Sequence, residues 1–216
     1  MSEEERQGRG PVPVRDVLVE SDRLLVRRPE DGDGPALERV FCDPAMMRYL
    51  GGVWTAEQVA ETFREWRDDW GVDGRWSGVL VRRDTQESVG TAGLTWDTIP
   101  GEPGFELSWF VVPELQGRGF ATEISRELLR FAFDELGAER VVVETHPDNP
   151  ASNRVVEKLG FECLGERRHG YDNLPGFETQ VLWALTREDT QGQAARAAGS
   201  KHRAPPDNGT ISRPAG

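Results

Sequence analysis

The sequence predicts a mixed α/β (α+β) fold, one sheet flanked by helices, and three observations predict it. Seven short segments have the apolar pattern of strands, and four have apolar residues at helical spacing. Most strand segments follow one another across short turn-like connections, which makes them antiparallel neighbours. One passage, 105–145, runs strand, helix, strand, and a crossover of that length joins parallel strands. The predicted order is β-α-α-β-β-β-α-β-α-β-β.

The elements follow in chain order. Residues 1 to about 20 open with "MSEEERQGRGPVPVRD", charged and broken by Gly and Pro, and read as a flexible arm. "RLLVRR" (23–28) is a short strand. Pro35 to Asp43 is a helix that stops at Pro44. Thr55 caps the next helix, with Gln58 as its capping-box partner. Val59, Phe63, Trp66 and Trp70 follow at helical spacing. "WSGVLVRR" (76–83) and "SVGTAGLTW" (88–96) are strands around the turn 84–87. Gly101 and Gly104 flank the next connection, and "FELSWFVV" (105–112) alternates as a strand. "FATEISRELLRFAFDEL" (120–136) is the strongest helix: Ile124, Leu128, Phe131 and Ala132 share a face, and Gly137 stops it. "ERVVVET" (139–145) is continuously apolar at its centre, as a strand buried on both faces would be. "ASNRVVEKL" (151–159) is a short helix ended by Gly160. "FECLGERR" (161–168) and "FETQVLWALT" (177–186) close the sheet. The Ala-, Gly-, Pro- and Arg-rich segment 190–216 lacks periodic apolar spacing and reads as a disordered tail. One domain, 21–189, is left between the arm and the tail.

Composition narrows the function. Hydrophobic residues make up 37% of 216, enough for a core, and seven tryptophans point to a dense interior or an aromatic pocket. The formal net charge is -12. Segment 190–216 has four basic side chains against Asp207, which leaves -15 for the rest. Such a body repels nucleic acid and anionic membrane surfaces. The acid is either solubilising surface charge or an attraction for a cationic substrate. Cys42 and Cys163 have no metal-ligand spacing and make no disulfide framework, so they are expected to be reduced. No metal is implied. The N-terminus has no apolar signal region, and no run approaches a membrane span, so a cytoplasmic protein is expected.

The chemistry concentrates at "QGRGFATE" (116–123), where glycines open a helix. A phosphate loop of the G-x-x-x-x-G-K-[ST] type needs a lysine that is not there. A dinucleotide fingerprint belongs in the first βα turn of a doubly wound sheet, and one parallel crossover cannot build that sheet. Two readings are left: a strand-to-helix turn that needs positive φ, or a nest of backbone N–H groups for an anion at a helix N-terminus.

Gln116-Gly117-Arg118-Gly119-Phe120-Ala121 resembles the Q/R-x-x-G-x-G/A motif of the GNAT acetyltransferase superfamily. About thirty residues on, "NPASNRVVEKLGF" (149–161) is similar to its second signature. The likeness covers roughly 22–186. "ELSWFVVPELQGRGFATE" looks most like the RimJ/RimL-type branch, which acetylates protein N-termini and small-molecule amines. The resemblance implies a mostly antiparallel seven-stranded sheet, helices on both faces and a splayed central strand pair. It implies acetyl-CoA as co-substrate, its pyrophosphate on Gln116, Gly117, Arg118, Gly119, Phe120, Ala121 and Thr122. The pantetheine arm would bond backbone groups of Phe110, Val111 and Val112, because an extended amide chain satisfies unpaired strand groups. Asn149 and Ser152 would line the thiol end, although both residues also suit a helix start.

Direct transfer needs a base for the ammonium, a polarised thioester and a proton for the thiolate. Glu106 is the candidate base: alternation puts it on the face with Ser108 and Phe110, and RimJ/RimL-like sequences often have glutamate there. A surface glutamate is the plain alternative. The tyrosine many GNAT enzymes use as the acid is replaced by Val156, so Ser152, Tyr171 or water stands in. His146 and His169 are weaker candidates, since a lone histidine is more often a loop or surface residue. Tyr49, Trp96, Tyr171 and Phe177 are the expected acceptor contacts, with "YDNLPGF" (171–177) loop-like. The expected activity is acetyl transfer to a primary amine by direct attack in a ternary complex, in a monomer or homodimer. The alternatives are a non-catalytic acyl-CoA-binding module and a scaffold that binds no cofactor.

Overall fold

The computed structural model describes residues 14–96, 99, 101–168 and 179–190. The strands are β1 (Val17–Glu20), β2 (Leu24–Arg27), β3 (Arg75–Arg82), β4 (Ser88–Trp96), β5 (Phe105–Val111), β6 (Arg140–Thr145), β7 (Glu162–Arg168) and β8 (Thr179–Thr186). The helices are α1 (Gly34–Phe41), α2 (Ala56–Asp68), α3 (Phe120–Arg130) and α4 (Pro150–Leu159). The sheet order is β1-β2-β3-β4-β5-β6-β8-β7. Every neighbouring pair is antiparallel except β5 and β6.

Among the described residues the sheet has eight strands where the sequence predicts seven. The extra strand, β1, falls within the segment read as an arm. It pairs with β2 and buries Leu18. Four residues with one buried side chain give too little periodicity to recognise. Trp70 Nε1 donates to Arg15 O at 2.8 Å and ties the approach to β1 onto the end of α2.

α1 ends two residues earlier than expected because the Asp43 side chain accepts from the N–H groups of Ala45 and Met46 and turns the chain. The capping box of α2 is present as read: Thr55 Oγ1 accepts from Gln58 N, and Gln58 Oε1 accepts from Thr55 N. α3 runs into a π turn, Phe131–Glu135, before Gly137 adopts positive φ. α1 packs on the sheet face that displays Phe110, its Phe41 ring 5.3 Å away. α3 covers the opposite face, where Phe131 stacks edge-on against Trp76.

Asp33 is the polar anchor of this packing. Its carboxylate, 3% exposed, accepts from both Arg27 Nη atoms at 2.8 Å, from Ser88 Oγ at 2.9 Å and from Glu30 N at 2.8 Å. Burial alone would push this carboxyl up. The hydrogen bonds from Arg27, Glu30 and Ser88 outweigh it and hold the group below its ordinary 3.8. Asp33→Ala leaves the half-buried Arg27 guanidinium with only the Arg28 carbonyl and the exposed Glu30 carboxylate, 3.7 Å away, and is expected to cost about 3 kcal/mol in urea unfolding. In the wild type this contribution is complete above the ordinary carboxylate value. It is lost as pH falls through the lower folded value.

The feature that positions the site is the parallel pair. β5 and β6 are in register only at Phe105↔Val141 and Glu106↔Val142. β5 continues to Val111 and β6 to Thr145, so beyond Glu106 the two strands part.

Candidate active site

A cleft of about 680 Å³ occupies this gap. Its walls are β5 from Glu106 to Val111, the turn after it, the start of α3, Val143–Thr145 of β6, His146 and the start of α4. Backbone groups of successive strand residues point to alternate sides. Val112 N–H donates to Val89 O at 2.9 Å, towards β4. The backbone groups of Leu107, Trp109 and Val111 therefore point towards β6, where past Glu106 the ladder has ended. Of the three residues expected to bond an extended ligand, Val111 faces the gap. Phe110 is among the lining residues but its backbone faces β4, and Val112 is fully buried. Gln116 Nε2 donates to Val111 O at 3.0 Å and closes the far end of the gap.

The glycine turn lies at that far end. Gly117 has φ 73° and Gly119, the N-cap of α3, has φ 84°, where a Cβ is strained. Packing does not demand glycine at either place. A Cβ on Gly117 would meet nothing within 4 Å, and one on Gly119 only Arg23 Nη2 at 3.7 Å. The N–H groups of Phe120, Ala121 and Thr122, in the first turn of α3, have no partner within the helix, and all three residues line the cleft. Arg23 fixes this turn. Its Nε donates to Glu123 Oε2 at 2.7 Å, its Nη2 to Arg118 O at 3.1 Å, and its guanidinium lies 4.7 Å from the Phe120 ring centre. Arg118 itself is outside the lining.

Two carboxylates meet the cleft where the strands part: Glu106 on β5 and Glu144 on β6. Burial pushes the Glu144 carboxyl up to about 7; Arg167 opposes this, while the charges of Glu106 and Glu102 add to it. Arg167 Nε lies 3.4 Å from Glu144 Oε1. Asn149 caps α4, its Oδ1 accepting from Ser152 N at 3.2 Å, and both residues line the cleft. Thr145 Oγ1 donates to Asn153 Oδ1 at 2.6 Å and accepts from Trp183 Nε1 at 2.9 Å, which locks α4 to the sheet. Val156, on the inner face of this helix, is fully buried.

Tyr49 lines the cleft, and its ring packs 5.1 Å from that of His146. Trp96 is outside the lining and packs edge-on against Phe105 at 5.0 Å. Tyr171, Phe177 and His169 lie outside the described residues. Among the described residues, no cluster of three or more His, Cys, Asp or Glu is placed to hold a metal, and no helix is long and apolar enough to cross a membrane.

Sequence reasoning missed Glu144 and Arg23. Glu144 sits inside a segment legible only as a buried strand. Its place beside Glu106 needs the parallel register, which alternation within one strand does not supply. Arg23 and Glu123 are separated by 100 residues, and no local pattern links them.

Comparison with known proteins agrees with the architecture. Residues 23–162 match the family model of the acetyltransferase (GNAT) domain. The chain is 32% identical over 174 residues to the uncharacterized N-acetyltransferase YoaA of Bacillus subtilis, covering 76% of this chain and 94% of that protein. It is 38% identical over 90 residues to the FsC-acetyl coenzyme A-N(2)-transacetylase of Aspergillus fumigatus, covering 41% of this chain and 37% of that one. A GNAT-family acetyltransferase from Bacillus anthracis superposes with a TM-score of 0.66 at 24% identity, over 79% of this chain and 98% of that one, and so shares the fold. A family match over more than half the chain, joined to a relative matched along nearly its whole length, places this protein in the GNAT family as an N-acetyltransferase.

Proposed function

We propose that the cleft binds acetyl-CoA and a primary amine together and transfers the acetyl group directly, as in the RimJ/RimL-type branch. The observation that carries this reading is the open glycine turn. Two positive-φ glycines leave space at the start of α3, where an added Cβ would meet nothing within 4 Å at Gly117 and only the end of the Arg23 side chain at Gly119. That cradle fits a pyrophosphate, because a helix N-terminus offers unpaired donors and the positive end of its dipole. The unladdered edge of β5 at Trp109 and Val111 fits the amides of a pantetheine arm.

The thioester would then lie near the apex of the gap, beside Glu106, with Asn149 and Ser152 opposite. Glu106 takes the ammonium proton, directly or through water. The freed lone pair attacks the thioester carbonyl, the N–C bond forms and the C–S bond breaks. The thiolate takes the second amine proton through Ser152 or water, since Val156 replaces the usual tyrosine. Tyr49 contacts the acceptor. The catalytic unit runs from β1 to about residue 189, with the residues before β1 and 190–216 as flanking segments.

The test is thiol release from acetyl-CoA across a panel of amines and N-terminal peptides. Release with at least one acceptor is the expected result. A thermal shift with acetyl-CoA but no release with any acceptor would leave a binding module. Acetyl-CoA at 100 times its Kd should stabilise by about 2.7 kcal/mol, and no shift at all would overturn the cradle.

A further inference from the structure

Glu106 is opposite Val142 in the parallel register, and Glu144 is two residues beyond Val142. Side chains alternate along a strand, so Glu106 and Glu144 share one sheet face, offset by roughly 7 Å along the strand direction. Both line the cleft at the point where the strands separate. The Glu144 side chain is only 11% exposed. The charged groups around it come from several elements. Arg167 of β7 approaches to 3.4 Å, but it is shared with Glu102, 3.8 Å away, in the connection before β5. Arg140 of β6 donates to Glu102 at 2.7 Å. Gln180 of β8, His146 and Tyr49 complete the polar lining nearby. Among the described residues of this cluster two guanidinium groups face three carboxylates, and α4 adds Arg154 and Lys158 to the wider lining of the cleft.

We propose that Glu144 is a second catalytic carboxyl: the acceptor enters as its ammonium ion between Glu106 and Glu144, and the pair takes up its proton, with Glu144 the member that carries it away. This rests on the amine transfer proposed above. The step balances. One N–H bond of the ammonium breaks and its proton passes to the pair. The amine lone pair forms the N–C bond as the C–S bond breaks. The second N–H proton goes to the thiolate, and the pair releases the first to solvent. A carboxylate whose basicity burial has raised to about 7 is matched to this cycle near neutral pH. Because the two carboxylates interact, the titration belongs to the pair. The substrate class follows: a cationic amine, drawn to the carboxylate pair before it reacts.

The experiment has two arms. In the ligand-free protein, carbon-13 NMR of the glutamate carboxyls should reveal one group titrating near pH 7. That signal should be absent in Glu144→Gln and displaced to lower pH in Glu106→Gln, where a like charge is removed. In turnover with an accepted amine, wild-type kcat/KM should fall below pH 7 on a limb that Glu144→Gln abolishes. The Gln variant should lose about 10²-fold or more in kcat at pH 7, and Glu144→Asp should recover part of it. Acetyl-CoA affinity should be unchanged in both variants, which establishes that they are folded. Turnover without a glutamate titrating above pH 6, or a Glu144→Gln variant that keeps the wild-type rate and limb, would overturn the pair. The titration without turnover of any amine would instead overturn the transfer on which it rests.

Discussion

Glu106→Gln is expected to lower kcat by about 10²–10⁴, the usual worth of a general base. Glutamine keeps the shape and most of the hydrogen bonding but has no basic oxygen to take a proton. Glu106 is at the apex of the gap, whereas the glycine turn lies beyond the other end of β5. Acetyl-CoA affinity should therefore hold, and the loss should appear in kcat. Part of it should return as pH rises, because more of the amine then arrives neutral. A steady-state pH series from 6 to 9 reads all of this. Turnover within about threefold of wild type across that range, far less than a lost base costs, would remove Glu106 from the mechanism.

Gly119→Val is expected to abolish tight acetyl-CoA binding while leaving the fold in place. The residue has φ 84°, where a β-branched side chain costs about 1–3 kcal/mol of strain. Its Cβ would meet only the end of the Arg23 side chain. The core is therefore untouched, and the valine methyls project into the space proposed for phosphate. Calorimetric titration with acetyl-CoA, beside a thermal melt of the free protein, separates the two effects. A stable variant that binds with wild-type affinity would show that the turn is only a strand-to-helix connection. The alanine variant, with less bulk at the same φ, should fall between the two.

The local structure and the glycine motif are legible in the amino-acid order alone. Thr55 and Gln58 specify the start of α2, Gly137 and Gly160 the ends of α3 and α4, and the 84–87 connection the β3–β4 hairpin, because each depends on residues within a few positions of one another. The glycine motif at 116–121 and the signature at 149–161 are local in the same sense, and the family was legible in them. Whatever depends on register between distant segments emerged with the folded sheet. β1 became a strand because β2 was there to pair with it. The parting of β5 and β6 after Glu106↔Val142 opened the cleft and turned Val111, rather than Phe110 or Val112, to offer its backbone there. Arg23 reached Glu123 and the carbonyl of Arg118 across the domain. Glu144 came beside Glu106 only through a parallel pairing between strands more than thirty residues apart, and burial there raised its basicity. Short-range hydrogen bonding and backbone preference are encoded residue by residue. The field and solvation of a carboxylate are set by every chain segment folded around it.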